Sequence, residues 1–205
     1  MIRRSVRKRF HNVYWIPPET SLKAPTVFVP NHHGWFDGYL MFLAVSALKM
    51  PTVDWIQEFD SFPLFSKIGG MPFPSDRPEV RIQTIRKTIR LMNQEGFNLL
   101  LFAESKLHYP PDVLPFGKIL HTLQDRVQGI QFVPVVICYE MVMHERPEAF
   151  LNFGSPCLPE ALRDQLGNLL SQTHRMIREQ PENFQVLAKG TPDVNERWQF
   201  PTLKR

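Results

Sequence analysis

Two imidazoles and a carboxylate meet in "TVFVPNHHGWFDGYLMFL", residues 26–43: His32 and His33 directly follow a run of β-formers, and Asp37 opens the apolar run after them. A histidine with one ring nitrogen held by a carboxylate keeps a fixed tautomer, and its other nitrogen is free to take a proton. Such a base contributes roughly 10²–10⁴-fold to a rate. Asp37 lies about one helical turn beyond His32, within reach of it. The spacing alone equally suits a core or helix-capping His–Asp contact. It does not suit zinc, because "HHGWFD" lacks the HxH or HExxH spacing that converges ligands on one ion, and no metal is expected. Cys138 and Cys157 give neither a disulfide framework nor a zinc spacing. Both sit in apolar sequence, which predicts buried free thiols in a reducing compartment.

The elements that must position these groups are legible from periodicity. Residues 25–30, "PTVFVP", read as a buried strand bounded by prolines, and it is the first strand expected in the chain. Residues 35–49 are helical in pattern and almost wholly apolar. "TVDWIQEF" is a short strand, followed by a loop with a short helix at 64–68. Residues 79–95 place Ile82, Ile85, Ile89 and Met92 on one stripe with basic residues opposite, stopped by Gly96. "FNLLLFAE", residues 97–104, and "IQFVPVVICYE" are buried strands, and "AFLNFGSPC" is a further one. Between them "LPFGKILHTLQDRV" passes from loop into helix. The last amphipathic helix begins at Pro159, and residues 181–205 form an irregular tail. Apolar strands alternating with amphipathic helices predict an α/β fold: a mainly parallel or mixed central sheet with helices on both faces, in a single domain over residues 1–205. In such sheets reactive groups collect where strands end and helices begin, which is where His32 stands.

Composition narrows the class. With 205 residues, 43% hydrophobic and 21% charged, the chain is globular rather than disordered. The formal charge of +4 is concentrated in a basic N-terminal segment, residues 1–24, whose opening "MIRRSVRKRF" holds five basic residues and no acid. That cluster suits an anionic bilayer or a nucleic acid, or simply a solvated terminus. The longest apolar run, residues 39–48, is too short to span a bilayer, and the N-terminus lacks the apolar core of a secretory signal. Any membrane contact is expected to be peripheral, at the cytoplasmic face, with Trp15, Phe59, Phe62 and Phe65 as candidate interfacial aromatics.

"NHHGWFDGYLM" resembles the first signature of the glycerolipid acyltransferases, the lysophosphatidic acid acyltransferase family, in which NHxxxxD follows a strand; Asn31, His32 and Asp37 match it. "PLFSKIGGMPFP" resembles the second block, where a Gly-Gly pair precedes a substrate-contacting stretch. "LLLFAES" is similar to the third signature, FPEGT, with Phe102 and Glu104 in register. "LPFGKILHTL" resembles the Pro-Phe-Lys segment that follows, and "FVPVVI" the fourth block around Pro134. The resemblance spans residues 25–180, in the family's order. It implies an O-acyltransferase that moves a fatty acyl group from acyl-CoA or acyl-carrier protein to a hydroxyl of a lysophospholipid such as 1-acylglycerol-3-phosphate. His32 would be the general base and Asp37 its orienting group. Substrate-binding positions would be Gly70, Arg77, Glu104, Ser105 and Lys106. The family's chemistry needs no metal, no cofactor beyond the thioester co-substrate and no covalent nucleophile, so neither Cys138 nor Ser155 has to act. Backbone N–H groups around Gly34 are the expected oxyanion donors, and His33 a spectator or pocket-lining group. The implied partners are a membrane surface, a lipid acceptor and the acyl carrier, with no nucleic acid.

The match departs from the family where the acceptor is held. In "FAESKL" Ser105 stands for the usual Gly, Lys106 for Thr and Leu107 for Arg. The arginine fork suited to phosphate is therefore absent there, and Lys106 is left as a point charge. Arg77 follows the Gly-Gly pair about two residues late; it or Arg81 reaches a phosphate, or both are solvated helix-start residues. A glycolipid or other non-phosphate acceptor is thus an alternative, as is a non-catalytic lipid-binding relative.

Overall fold

The computed structural model describes residues 1–61, 63–141 and 143–197, with side chains throughout except at 63 and 64. Its centre is β2 (Thr26–Pro30), five buried residues flanked by prolines. Around it runs one sheet that also contains β1 (Asn12–Ile16), β3 (Thr52–Ile56), β4 (Gly70–Pro72), β5 (Asn98–Leu100), β6 (Gln131–Glu140), β7 (Glu148–Phe153) and β8 (Gln185–Lys189). The order is β4-β3-β5-β2-β6-β7-β1-β8. Neighbours from β4 to β6 are parallel, as are β7 and β1, while β6–β7 and β1–β8 are antiparallel. The sheet is mixed, with a parallel centre as expected.

Helices cover both faces. On one lie α1 (Ile2–Arg9) and α2 (Asp37–Ala47), whose Ile2, Val6, Leu40, Met41 and Ala44 pack on Phe28, Val133, Val135 and Ile137. On the other lie α3 (Pro78–Glu95), α4 (Ile119–Arg126) and α5 (Pro159–Glu179). There Met92, Leu120, Leu123 and Leu162 meet Val27 and Val29, and Leu166 and Leu170 meet Val136, Cys138 and Phe150. Alternate residues of each strand thus supply the two cores. Because α2 is apolar all round, one face on the sheet does not bury it, and α1 packs on its flank. A short helix, α6 (Val194–Arg197), ends the described chain.

The structure corrects several expectations. The first strand is β1, inside the segment expected to be only a basic extension, and that segment's basic run is helix α1. The tail is not wholly irregular, since β8 pairs with β1 along the sheet's edge; residues 198–205 lie outside the described ones. Strand β5 stops at Leu100, and residues 101–104 continue as buried irregular chain. On α3 the innermost positions are Thr84, Thr88 and Met92, while Ile82 is half-exposed. The threonines face inward because they serve buried polar groups: Thr88 Oγ1 accepts the Trp55 indole N–H at 2.9 Å, and Thr84 donates to the Pro72 carbonyl at 2.6 Å. Both cysteines are free thiols, Cys138 buried and Cys157 partly so. Burial pushes their pKa values up to about 12 and about 11, which suits packing rather than nucleophilic work.

Candidate active site

The C-terminal ends of β2, β5 and β6 converge on one spot. The Asn31 amide fastens the end of β2 to β6: its Oδ1 accepts the Ile137 N–H at 2.7 Å, and its Nδ2 donates to the Ile137 carbonyl at 3.0 Å. The chain then turns, and α2 begins with Asp37. Across this turn His32 Nδ1 lies 3.0 Å from Asp37 Oδ2. The Asp37 side chain is 0% exposed and that of His32 is 25% exposed. Asp37 Oδ2 also accepts the Gly34 N–H at 2.9 Å, and its Oδ1 accepts the Tyr139 hydroxyl. A buried carboxylate at a helix start, with three donors, is held in one orientation rather than free to turn. It holds the imidazole through Nδ1, and His32 Nε2 has no partner among the described residues. The Phe102 ring lies 4.4 Å from that of His32 and limits its rotation.

Tyr139 and Gly34 complete this arrangement. Burial first, and then the Asp37 charge, raise the Tyr139 phenol well above its ordinary pKa, so it remains a donor. A side chain at Gly34 would run into the Tyr139 ring; the turn needs glycine for space. The Gly34 N–H is committed to Asp37, so of the N–H groups expected around Gly34 to serve an oxyanion this one is taken.

Glu104 is buried and faces protein. Its Oε1 accepts the His32 N–H at 2.8 Å, and its Oε2 accepts the Leu114 N–H at 2.6 Å and lies 2.5 Å from His108 Nε2. The His108 N–H returns to the His32 carbonyl at 3.2 Å. Glu104 thus laces the histidine turn to the loop after β5. His33 points to that loop as well, with Nε2 3.0 Å from the Asp112 carbonyl, and burial lowers its pKa below the ordinary value. Ser105, next to Glu104, adopts a left-handed φ of 61°, and Ser105 and Lys106 are both exposed. Gly70 and Arg77 share none of the hydrogen bonds of the His32–Asp37 pair. Gly70 opens β4 and packs against Ile56 and Phe65, and Arg77 Nη2 donates to Asp60 Oδ2 at 2.6 Å. Arg81 covers the Phe73 ring at 4.6 Å.

The exposed apolar residues are not the expected ones. Trp15, Phe59 and Phe65 are half-buried, and Phe62 lies outside the described residues. Trp35, Leu107 and Tyr109 are 61%, 50% and 92% exposed instead. Trp35 follows His32 by three residues, and Leu107 and Tyr109 flank His108. Among the described residues no helix is long and apolar enough to cross a membrane.

Neither a family model nor a curated protein sequence matches the chain. Among solved structures it is similar to the crystal structure of the 1-acyl-sn-glycerophosphate acyltransferase PlsC from Thermotoga maritima, with a TM-score of 0.48 and 18% identity, over 82% of this chain and 72% of that one.

Proposed function

We propose that this protein is an O-acyltransferase that uses His32 as general base. The observation that carries this reading is the His32–Asp37 contact: a 3.0 Å bond to a buried, fully donated carboxylate leaves Nε2 free to accept a proton. The resemblance of the ordered signatures around it supports acyl transfer as the reaction class. The acceptor's O–H proton passes to His32 Nε2 as its oxygen attacks the carbonyl carbon of an acyl thioester. The tetrahedral intermediate collapses with cleavage of the C–S bond, and the thiolate takes the proton back from the imidazolium. The new ester and the free thiol of CoA or acyl-carrier protein leave, and no acyl-enzyme forms.

The acceptor is an amphiphile at an anionic membrane surface. Trp35, Leu107 and Tyr109 supply an apolar rim on the loops beside His32, and the basic side chains of α1 supply charge complementarity. A lysophospholipid is the first reading. Two observations favour a second reading, a non-phosphate acceptor such as a glycolipid: Arg77 is already paired with Asp60, and Leu107 occupies the place where an arginine fork would hold phosphate.

The experiment is acyl transfer by purified protein from labelled acyl-CoA and acyl-carrier protein to a panel of lysophospholipids and glycolipids. Turnover by wild type and a loss of about 10²-fold or more in His32→Ala are expected. Transfer to no acceptor, or an equally active variant, overturns the reading.

A further inference from the structure

Outside the His32 turn, a second group of titratable side chains joins three parts of the chain. His11 ends the link between α1 and β1, His144 lies in the turn between β6 and β7, and Asp193 and Glu196 lie at α6. The two imidazoles stack with centroids 3.5 Å apart. His11 Nε2 is 2.9 Å from Glu196 Oε2, and His144 Nδ1 is 2.8 Å from Asp193 Oδ2. On the opposite edge of the stack Glu148 Oε1 approaches both rings, at 3.4 and 3.6 Å.

Two features set this group apart from a solvated charge cluster. First, it is anchored: His11 and Asp193 are buried, the His11 backbone is pinned to the Pro147 carbonyl and the Gly190 N–H, and Asp193 Oδ1 accepts the Glu145 N–H. Second, it is short of positive charge. Three carboxylates meet here, and among the described residues no lysine or arginine pairs with Glu148, Asp193 or Glu196. One donor atom from each of His11, His144 and Asp193 lies within 4.8 Å of the others.

We propose that His11, His144 and Asp193, with Glu196 as fourth donor, form a binding site for a divalent transition metal of the zinc type. Two imidazoles and carboxylates are the ligand set such an ion prefers; donors around a tetrahedral ion stand about 3.3 Å apart, and those of His11, His144 and Asp193 start from within 4.8 Å of one another. The stacked rings direct their lone pairs side by side, so binding requires the more exposed His144 ring to turn about its Cβ–Cγ bond onto the ion held by His11 and Asp193. The ion staples α6 and the edge of the sheet to the α1–β1 junction. It also sets Phe10, the neighbour of His11, whose ring stacks on Tyr139 at 5.9 Å. The other such group, His33, Glu104 and His108, belongs to the site already described.

The test is titration of chelator-stripped full-length protein with Zn²⁺ alone, with Mg²⁺ as the oxygen-seeking control. One-to-one Zn²⁺ binding in the micromolar range or tighter is expected, with a rise in Tm of roughly 5 °C at saturating metal and no response to Mg²⁺. His144→Gln and Asp193→Asn, each checked for native circular dichroism, should bind at least about tenfold more weakly, and the double variant His33→Gln/His108→Gln should bind as wild type. Failure of wild type to bind Zn²⁺, binding indifferent to His144 and Asp193, or binding lost only in the His33/His108 variant each overturns the proposal.

Discussion

Tyr139 closes the hydrogen-bond set of Asp37: its phenol donates to Oδ1, while His32 and the Gly34 N–H share Oδ2. The two residues are 102 positions apart and meet because β6 runs parallel beside β2. In the proposed mechanism the tyrosine does not touch a reacting atom; it fixes the direction of the carboxylate that would orient the base.

Tyr139→Phe tests this directly, since it keeps the ring stacked on Phe10 and removes one hydroxyl. The lost bond to a buried carboxylate is expected to cost about 1.5–3 kcal/mol of stability, read by denaturant unfolding. Acyl transfer should fall by roughly tenfold. A rate equal to that of wild type would detach Tyr139 from the proposed base.

How much of this site the sequence carried follows from distance along the chain. His32 and Asp37 were legible because their contact spans one turn at a strand–helix seam, and β2 and β6 because both faces of a central parallel strand are apolar. Tyr139 was within reach of a period-two reading of β6, which puts it on the face of Val133, Val135 and Ile137. The partners of Glu104 were not, since they are backbone N–H groups of His32 and Leu114 that any residue could present. Strands β1 and β8 escaped for a different reason: β8 is the sheet's edge and β1 the next strand in, both only partly buried, so their apolar pattern is weak. The His11–His144 cluster combines residues from both ends of the chain and the middle, so no local spacing announces it.

Glu104→Gln separates lacing from substrate contact. Glutamine keeps the shape but replaces one acceptor oxygen with a donor, which must face either an N–H or the His108 ring. A stability loss of about 2 kcal/mol is expected, together with a fall in kcat at nearly unchanged KM for the acceptor, because the His32 turn shifts while substrate contacts stay. A raised KM with full kcat and full stability would instead make Glu104 a substrate ligand.

Ser105 holds a left-handed φ of 61° without glycine's freedom. That conformation costs an L-residue roughly 1–2 kcal/mol, and glycine gives back about 0.5–1 through its larger unfolded-state entropy. Ser105→Gly is therefore expected to raise Tm by about 1–3 °C, and Ser105→Val, with a β-branched side chain in the same backbone, to lower it by more. Calorimetry on the two variants decides the point; a Tm drop in Ser105→Gly would show that the serine hydroxyl matters more than its backbone.

Asp54 gives a pH-dependent prediction that does not involve the candidate site. It lies on β3, its Oδ1 is buried without a partner among the described residues, and burial raises its pKa to about 7 from an ordinary 3.8. The folded state therefore keeps the proton longer than the unfolded one. The destabilisation is nil below about pH 4, grows as pH rises through the window between the two values, and levels off above pH 7, where it reaches on the order of 4 kcal/mol. Asp54→Asn has no proton to lose, so its stability relative to wild type should climb between pH 4 and pH 7 and then run parallel. Urea unfolding of the pair across pH 4–8 measures this difference with every other titrating group cancelled. Curves parallel over the whole range would mean that Asp54 ionises as freely in the fold as out of it, and that its buried oxygen reaches water.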